Sequence, residues 1–177
     1  MRASWLGDRA RCGRSPFQHV GGLLSCGSGL RPLPRAVPAD IQAEFREAES
    51  CTAHKLNRAA SALFRSVLEK TLKANGYTRA NDPALRDLQK RIDAAAADGV
   101  ITDARRRRAH DDIRALGNDM LHDDWREVLD EEVESAHQYT QRILEDLYDD
   151  RPTVEAILVA KSRLPAPPAP APTTATP

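Results

Sequence analysis

Residues 56–76 read LNRAASALFRSVLEKTLKANG. Leu56, Ala59, Ala60, Leu63, Phe64, Val67, Leu68, Thr71 and Leu72 recur at spacings of three and four, so they form one continuous stripe along a helix. Asn75-Gly76 closes it, because glycine readily takes the left-handed conformation of a helix C-terminus. A stripe this wide must be covered by other elements, and the flanking sequence offers further helices. Upstream, one runs from Ala39 to Cys51, with a weaker continuation to Lys55. Downstream, Asp82 and Pro83 read as N-cap and first residue of a third helix. Its inward side is Leu85, Leu88, Ile92 and Ala96, and it ends near Asp98-Gly99.

A fourth helix starts at Thr102 and buries Ala109, Ile113, Leu116 and Met120. The fifth starts near Asp130 and buries Val133, Ala136, Thr140, Ile143, Leu144 and Leu147. A short sixth covers Thr153 to Lys161. The short loops predict an all-α bundle with antiparallel neighbours. Composition agrees: aromatics make up 5% of the 177 residues, which suits helices better than a β-sandwich.

Charge divides the chain into three zones. Residues 1–38 carry six arginines and one acid, Asp8, with scattered glycines and no hydrophobic period. They read as a disordered leader. An organelle transit peptide has a similar composition, but an unstructured leader or a start codon placed too early is the simpler reading. Residues 39–163 are the helical domain. Residues 164–177, LPAPPAPAPTTATP, are too proline-dense for helix or strand and read as a polyproline-like tail. The whole chain balances 26 basic against 26 acidic residues, which argues against a surface built throughout for polyanions. No apolar run reaches the roughly 18–20 residues of a membrane helix. Cys12, Cys26 and Cys51 give no disulfide framework. The expectation is a soluble, cytoplasmic protein without membrane contact.

Several constellations invite chemistry. Cys12, His19 and Cys26 lack the paired knuckles of a zinc site, and Cys51 reads as a small core residue. Arg105, Arg106, Arg107 and Arg108 splay around a helix and read as a solvated surface paired with nearby acids. Asp123, Asp124, Asp130, Glu131 and Glu132 show no cation-loop pattern, and the last three suit a helix start. Neither a metal nor another cofactor is expected. Arg65 and Glu69, at i,i+4, either pair within their helix or position a partner on another.

Residues 113–122, IRALGNDMLH, are more informative. At about 100° per residue, Asn118 falls about 40° and His122 about 80° from Arg114. Ala109, Ile113, Leu116 and Met120 cluster on the opposite side. The polar ladder suits a phosphodiester, with His122 as acid or base and Arg114 steadying negative charge. A solvated face, with His122 closing the helix against its dipole, explains the same spacing. Gly117 costs about 1 kcal/mol relative to alanine inside a helix, and there permits a close backbone approach or a kink.

Together these residues resemble a known family. The run from Val37 to Tyr148 looks like domain of unknown function 4145, a widespread prokaryotic helical domain. The matching pieces are VPADIQAEFREAESC (37–51), AASALFRSVLEKTLKANGY (59–77), IRALGNDMLHDD (113–124) and EEVESAHQYTQRILEDLY (131–148). The pairing of Arg65-x-x-x-Glu69 with Gly117-Asn118-x-x-x-His122 is its most specific part. The family is grouped with the HEPN superfamily of helical bundles. Many of those are metal-independent ribonucleases of defence systems, in which the RNA 2′-hydroxyl attacks the adjacent phosphate. Their motif is an arginine, a polar residue, a spacer and a histidine, completed across a homodimer cleft.

Carried over, His122 matches the histidine and Asn118 the polar residue, while the arginine position holds Gly117. Arg114 lies one turn earlier, its Cα about 12 Å from that of His122 by helix rise. The resemblance therefore implies a non-catalytic interaction and dimerisation module in a prokaryotic defence or nucleic-acid setting, with Arg65, Glu69 and Gly117 structural. The expected partners are a second copy and RNA or another protein. The alternatives are a ribonuclease using His122, Arg114 and Asn118, and a purely structural dimer with an apolar face around Trp125 and Tyr139.

Overall fold

A computed structural model of the chain describes residues 32–109 and 127–166. The leader residues 1–31, residues 110–126 and residues 167–177 lie outside that description. The expected burial of Ile113, Leu116 and Met120 and the place of Trp125 fall there. The described residues are helical and contain no strand: α1 (Ala39–Ala53), α2 (Asn57–Ala74), α3 (Leu88–Ala97), α4 (103–109), α5 (Asp130–Tyr148) and α6 (Arg151–Ala160).

Helix α2 is the hub. Its buried residues Ala60, Ser61, Phe64, Val67, Leu68, Thr71 and Leu72 are the stripe expected from its spacing. It packs on α1, α5 and α3. The α1–α2 pair is antiparallel, since Lys70 near the end of α2 binds Glu44 near the start of α1 at 2.9 Å. The α2–α5 pair is parallel. Asn57 at the start of α2 donates to the Val128 carbonyl (3.0 Å) and to Asp130 (2.8 Å), and Asn75 after its end donates to the Tyr148 hydroxyl (3.1 Å). Antiparallel packing thus holds for α1 and α2 but not for the α2–α5 pair, which are separated in sequence by α3 and α4.

The third helix begins five residues later than its apparent signal. Asp82 does accept a backbone amide, but from Ala84 (2.9 Å), and its carbonyl accepts from Leu85. This makes an Asx turn before Pro83 can start a helix. Asp87 is the real cap, accepting from the Lys90 amide at 2.9 Å. The shift puts Ala95 rather than Ala96 in the core and turns Arg91 inward. Helix α5 starts where acids favour it: Asp130, Glu131 and Glu132 fill its first turn, and Glu132 accepts the Leu129 amide at 3.0 Å. All six of its expected core positions are buried. So is Tyr139, 3% exposed, which removes it from any outer apolar face. Helix α6 begins at Arg151, two residues ahead of expectation.

Four of these helices close alike. The residue after the C-cap has positive φ: Lys55 (59°), Gly76 (85°), Gly99 (82°) and Ser162 (56°). The next amide then reaches back along the last turn: Leu56 to Cys51, Tyr77 to Leu72, Val100 to Ala95 and Arg163 to Leu158, at 2.8–3.0 Å. This is the Schellman arrangement. At Ser162 it is held by a residue with a Cβ, which costs about 1–2 kcal/mol in that region. Ser162→Gly is therefore expected to stabilise the domain by about 0.5–1 kcal/mol, after the extra unfolded-state entropy of glycine is subtracted. A denaturation midpoint that falls instead of rising would show that Ser162 is held by more than its backbone.

Candidate functional site

The motif residues of α2 lie on one side of the helix, one turn apart. Arg65 and Glu69 are both half-buried. Among the described residues Glu69 pairs not with Arg65 but with two others. Its Oε1 accepts from Arg91 Nη1 at 3.2 Å, and its Oε2 lies 3.5 Å from Lys73 Nζ. Arg91 is the decisive partner because it is 7% exposed. Burying a guanidinium is costly unless it is paired and hydrogen-bonded. Glu69 supplies the charge, and the Leu85 carbonyl accepts from Nε at 3.3 Å. Glu69 thus ties α2 to α3. Arg114, Gly117, Asn118 and His122, the other candidates, lie outside the described residues.

A second cluster joins α1 to α5. His137 Nε2 lies 3.1 Å from Glu49 Oε1, and Arg46 Nη1 donates to Glu49 Oε2 at 2.6 Å. Burial alone would raise the Glu49 pKa, but the hydrogen bonds from His137 and Arg46 and the charge of Arg46 outweigh it and hold the pKa below the usual carboxylate range. The ionised carboxylate can only accept, so Nε2 carries the proton in this contact. The imidazole lies against two rings, with centroids 5.4 Å from Phe45 and 5.3 Å from Phe64. A carboxylate-oriented imidazole can serve as a general base. Here the two rings pack on it, so the contact works as a polar seam across three helices. Sequence reading passed over His137. The available signal was its register: Val133, His137, Thr140 and Leu144 fall at i, i+4, i+7 and i+11, so a histidine stands on the apolar stripe.

Several other charges pair locally. Arg105 pairs with Asp146 and also donates to the Arg142 carbonyl at 3.0 Å, which fastens α4 to α5. Burial pushes the Asp146 pKa up against the pull of Arg105. Arg106 binds Asp103 at 3.3 Å, and Arg108 lies 3.4 Å from the Ser135 hydroxyl. These contacts fit the surface reading of the arginine run. Asp130 accepts from Lys55 and Asn57, and these two hydrogen bonds lower its pKa. Cys51 is half-buried and packs against the core. Among the described residues no group of three or more His, Cys, Asp or Glu side chains is arranged to hold a metal ion, and no helix is long and apolar enough to cross a membrane.

Residues 46–164 match the family model Domain of unknown function (DUF4145). The chain belongs to this family. The DUF4145 span takes in α2 to α6 and the end of α1, so it holds the Glu69–Arg91 tie, the Glu49–His137 seam and the motif positions 114–122. No curated protein matches the chain, and no solved structure does.

Proposed function

We propose that this DUF4145 domain is a non-catalytic interaction and dimerisation module of HEPN-like type, working in a prokaryotic defence or nucleic-acid-associated setting. The observation that carries this reading is the bonding of Glu69. The carboxylate that forms half of the α2 motif neutralises the buried Arg91, so its role is structural. The sequence adds a second support, because Gly117 stands where a ribonuclease of this superfamily carries arginine. Stabilising a transition-state phosphate needs a cation placed at that spot, and glycine has no side chain to provide one. The expected partners are a second copy of the chain and an RNA or protein.

The test is RNA cleavage in chelator, comparing the wild type with His122→Ala and Arg114→Ala, each checked for unchanged helicity and melting temperature. The expected result is no cleavage above background by any of the three, with the wild type dimeric by light scattering. Cleavage by the wild type that leaves cyclic-phosphate ends, and that both substitutions abolish, would overturn the reading. It would make the domain a metal-independent endoribonuclease using His122, Arg114 and Asn118. A folded monomer would remove the dimerisation role.

A further inference from the structure

Helix α6 is attached differently from the others. Two of its ten residues, Val154 and Leu158, are buried, against nine of nineteen in α5 and seven of eighteen in α2. The three buried residues of the fifteen in α1 are the same share, but one of them is Phe45, packed on Phe64 and His137, and Glu44 and Glu49 fasten α1 to α2 and α5 along its length. The middle of α6 therefore contributes little apolar anchorage, and attachment is concentrated at its two ends. At the start, Arg151 Nη1 donates to the buried Asn75 side chain. The Arg151 guanidinium also lies 5.0 Å from the centre of the Tyr148 ring. Asn75 in turn bonds the Thr71 carbonyl and the Tyr148 hydroxyl, so this contact reaches the end of α2 and the end of α5.

At the far end, Arg163 is gripped from several sides. Nε donates to Asp98 at 2.8 Å, Nη1 lies 3.9 Å from Asp82, and the guanidinium sits 5.1 Å from the Tyr77 ring centre. Its carbonyl accepts from Asn81 at 3.2 Å. That carbonyl also lies against Gly76, where any Cβ would stand 2.2 Å from it. All of these holding groups come from the ends of α2 and α3 or the turn between them.

We infer that α6 is a clasp helix, held by Arg151 and Arg163 at its two ends, that opens as a unit while α1, α2 and α5 stay folded. Native proteins open in cooperative pieces, and the piece with the least buried apolar surface opens first. Opening frees the apolar side of α6, Val154, Ile157 and Leu158, and uncovers the Asn75–Tyr148 contact. It is a conformational device at the end of the bundle where α2, α3 and α5 terminate.

Hydrogen exchange on the full chain under native conditions tests this. Amides of α6 are expected to exchange at least about tenfold faster than the slowest amides of α2 and α5. Arg163→Met and Arg151→Met should each speed α6 exchange by a further tenfold or so, leaving the slowest α2 and α5 amides within about twofold of wild type. Exchange of α6 at the same rate as the α2 core would overturn the inference. So would substitutions that accelerate all helices equally, because the two arginines would then support the global fold rather than a local latch.

Discussion

Gly76→Ala is expected to destabilise the domain by about 3 kcal/mol, and Gly99→Ala by only about 1–2 kcal/mol. The backbone term is shared, since φ is 85° at one and 82° at the other. Surroundings separate them. A Cβ on Gly99 meets nothing within 4 Å, whereas one on Gly76 would sit 2.2 Å from the Arg163 carbonyl oxygen and 2.7 Å from its carbon. Backbone cannot rotate away as a side-chain tip can. The Arg163 segment must shift, and its bonds to Asn81 and Asp98 are strained or lost with it. The bond to Asp98 joins charged groups and is worth about 1.5–3 kcal/mol, and the neutral bond from Asn81 about 0.5–1.5 kcal/mol. The excess has an upper bound: if α6 releases, the clash disappears, so the extra cost cannot exceed the free energy of opening α6. Chemical denaturation of the two variants gives the difference directly. Equal losses would mean that Gly76 is needed only for its φ, and that the close approach of Arg163 contributes nothing.

The contrast between those glycines shows what one sequence makes legible. Both were readable as helix stops, because a C-terminal glycine after an apolar stripe is a local signal. The α2 and α5 stripes were readable for the same reason: Phe64, Leu72, Val133 and Leu144 announce burial by spacing alone, and they are buried. What touches Gly76 was not readable, since Arg163 lies far along the chain and no period links them. The misplaced start of α3 has the same origin. Asp82 and Asp87 carry equal capping potential in isolation. The choice falls to Asp87 because Asn81 is bound to the Gly76 and Arg163 carbonyls and Leu85 is drawn into the core. Glu69 was identified as a motif residue, but its partner Arg91 was not, because a buried arginine on an apolar face contradicts the rule that places charge outside. The Glu49–His137 seam links positions 88 residues apart, and only the register of His137 hinted at it.

Phe64→Ala is expected to be the most damaging single side-chain truncation in the domain, at about 3–5 kcal/mol. Phe64 is 1% exposed and stands where three helices meet. It belongs to α2, its ring lies 5.5 Å from Phe45 of α1 at 66°, and 5.3 Å from His137 of α5. The edge-to-face pair with Phe45 contributes beyond area alone, as such ring pairs do. Helices on three sides cannot all move inward to fill the void, so most of the cavity cost persists. The loss spreads to polar groups as well. His137 is held between the two rings and Glu49, and without Phe64 the imidazole loses one wall, so the seam from α1 to α5 loosens. Leu63→Ala, one position away and only partly buried, is the control and should cost clearly less. The measurement is the urea midpoint of both variants, together with the His137 ring signals by NMR. A Phe64→Ala loss no greater than that of Leu63→Ala would place the centre of the core elsewhere. A large loss with unchanged His137 signals would keep Phe64 in the core but detach it from the Glu49–His137 seam. Since total stability of a domain is about 5–15 kcal/mol, the expected loss leaves α2 without a secure hold on α1 and α5. Any surface built on those helices, including the motif that α2 carries, would lose its geometry first.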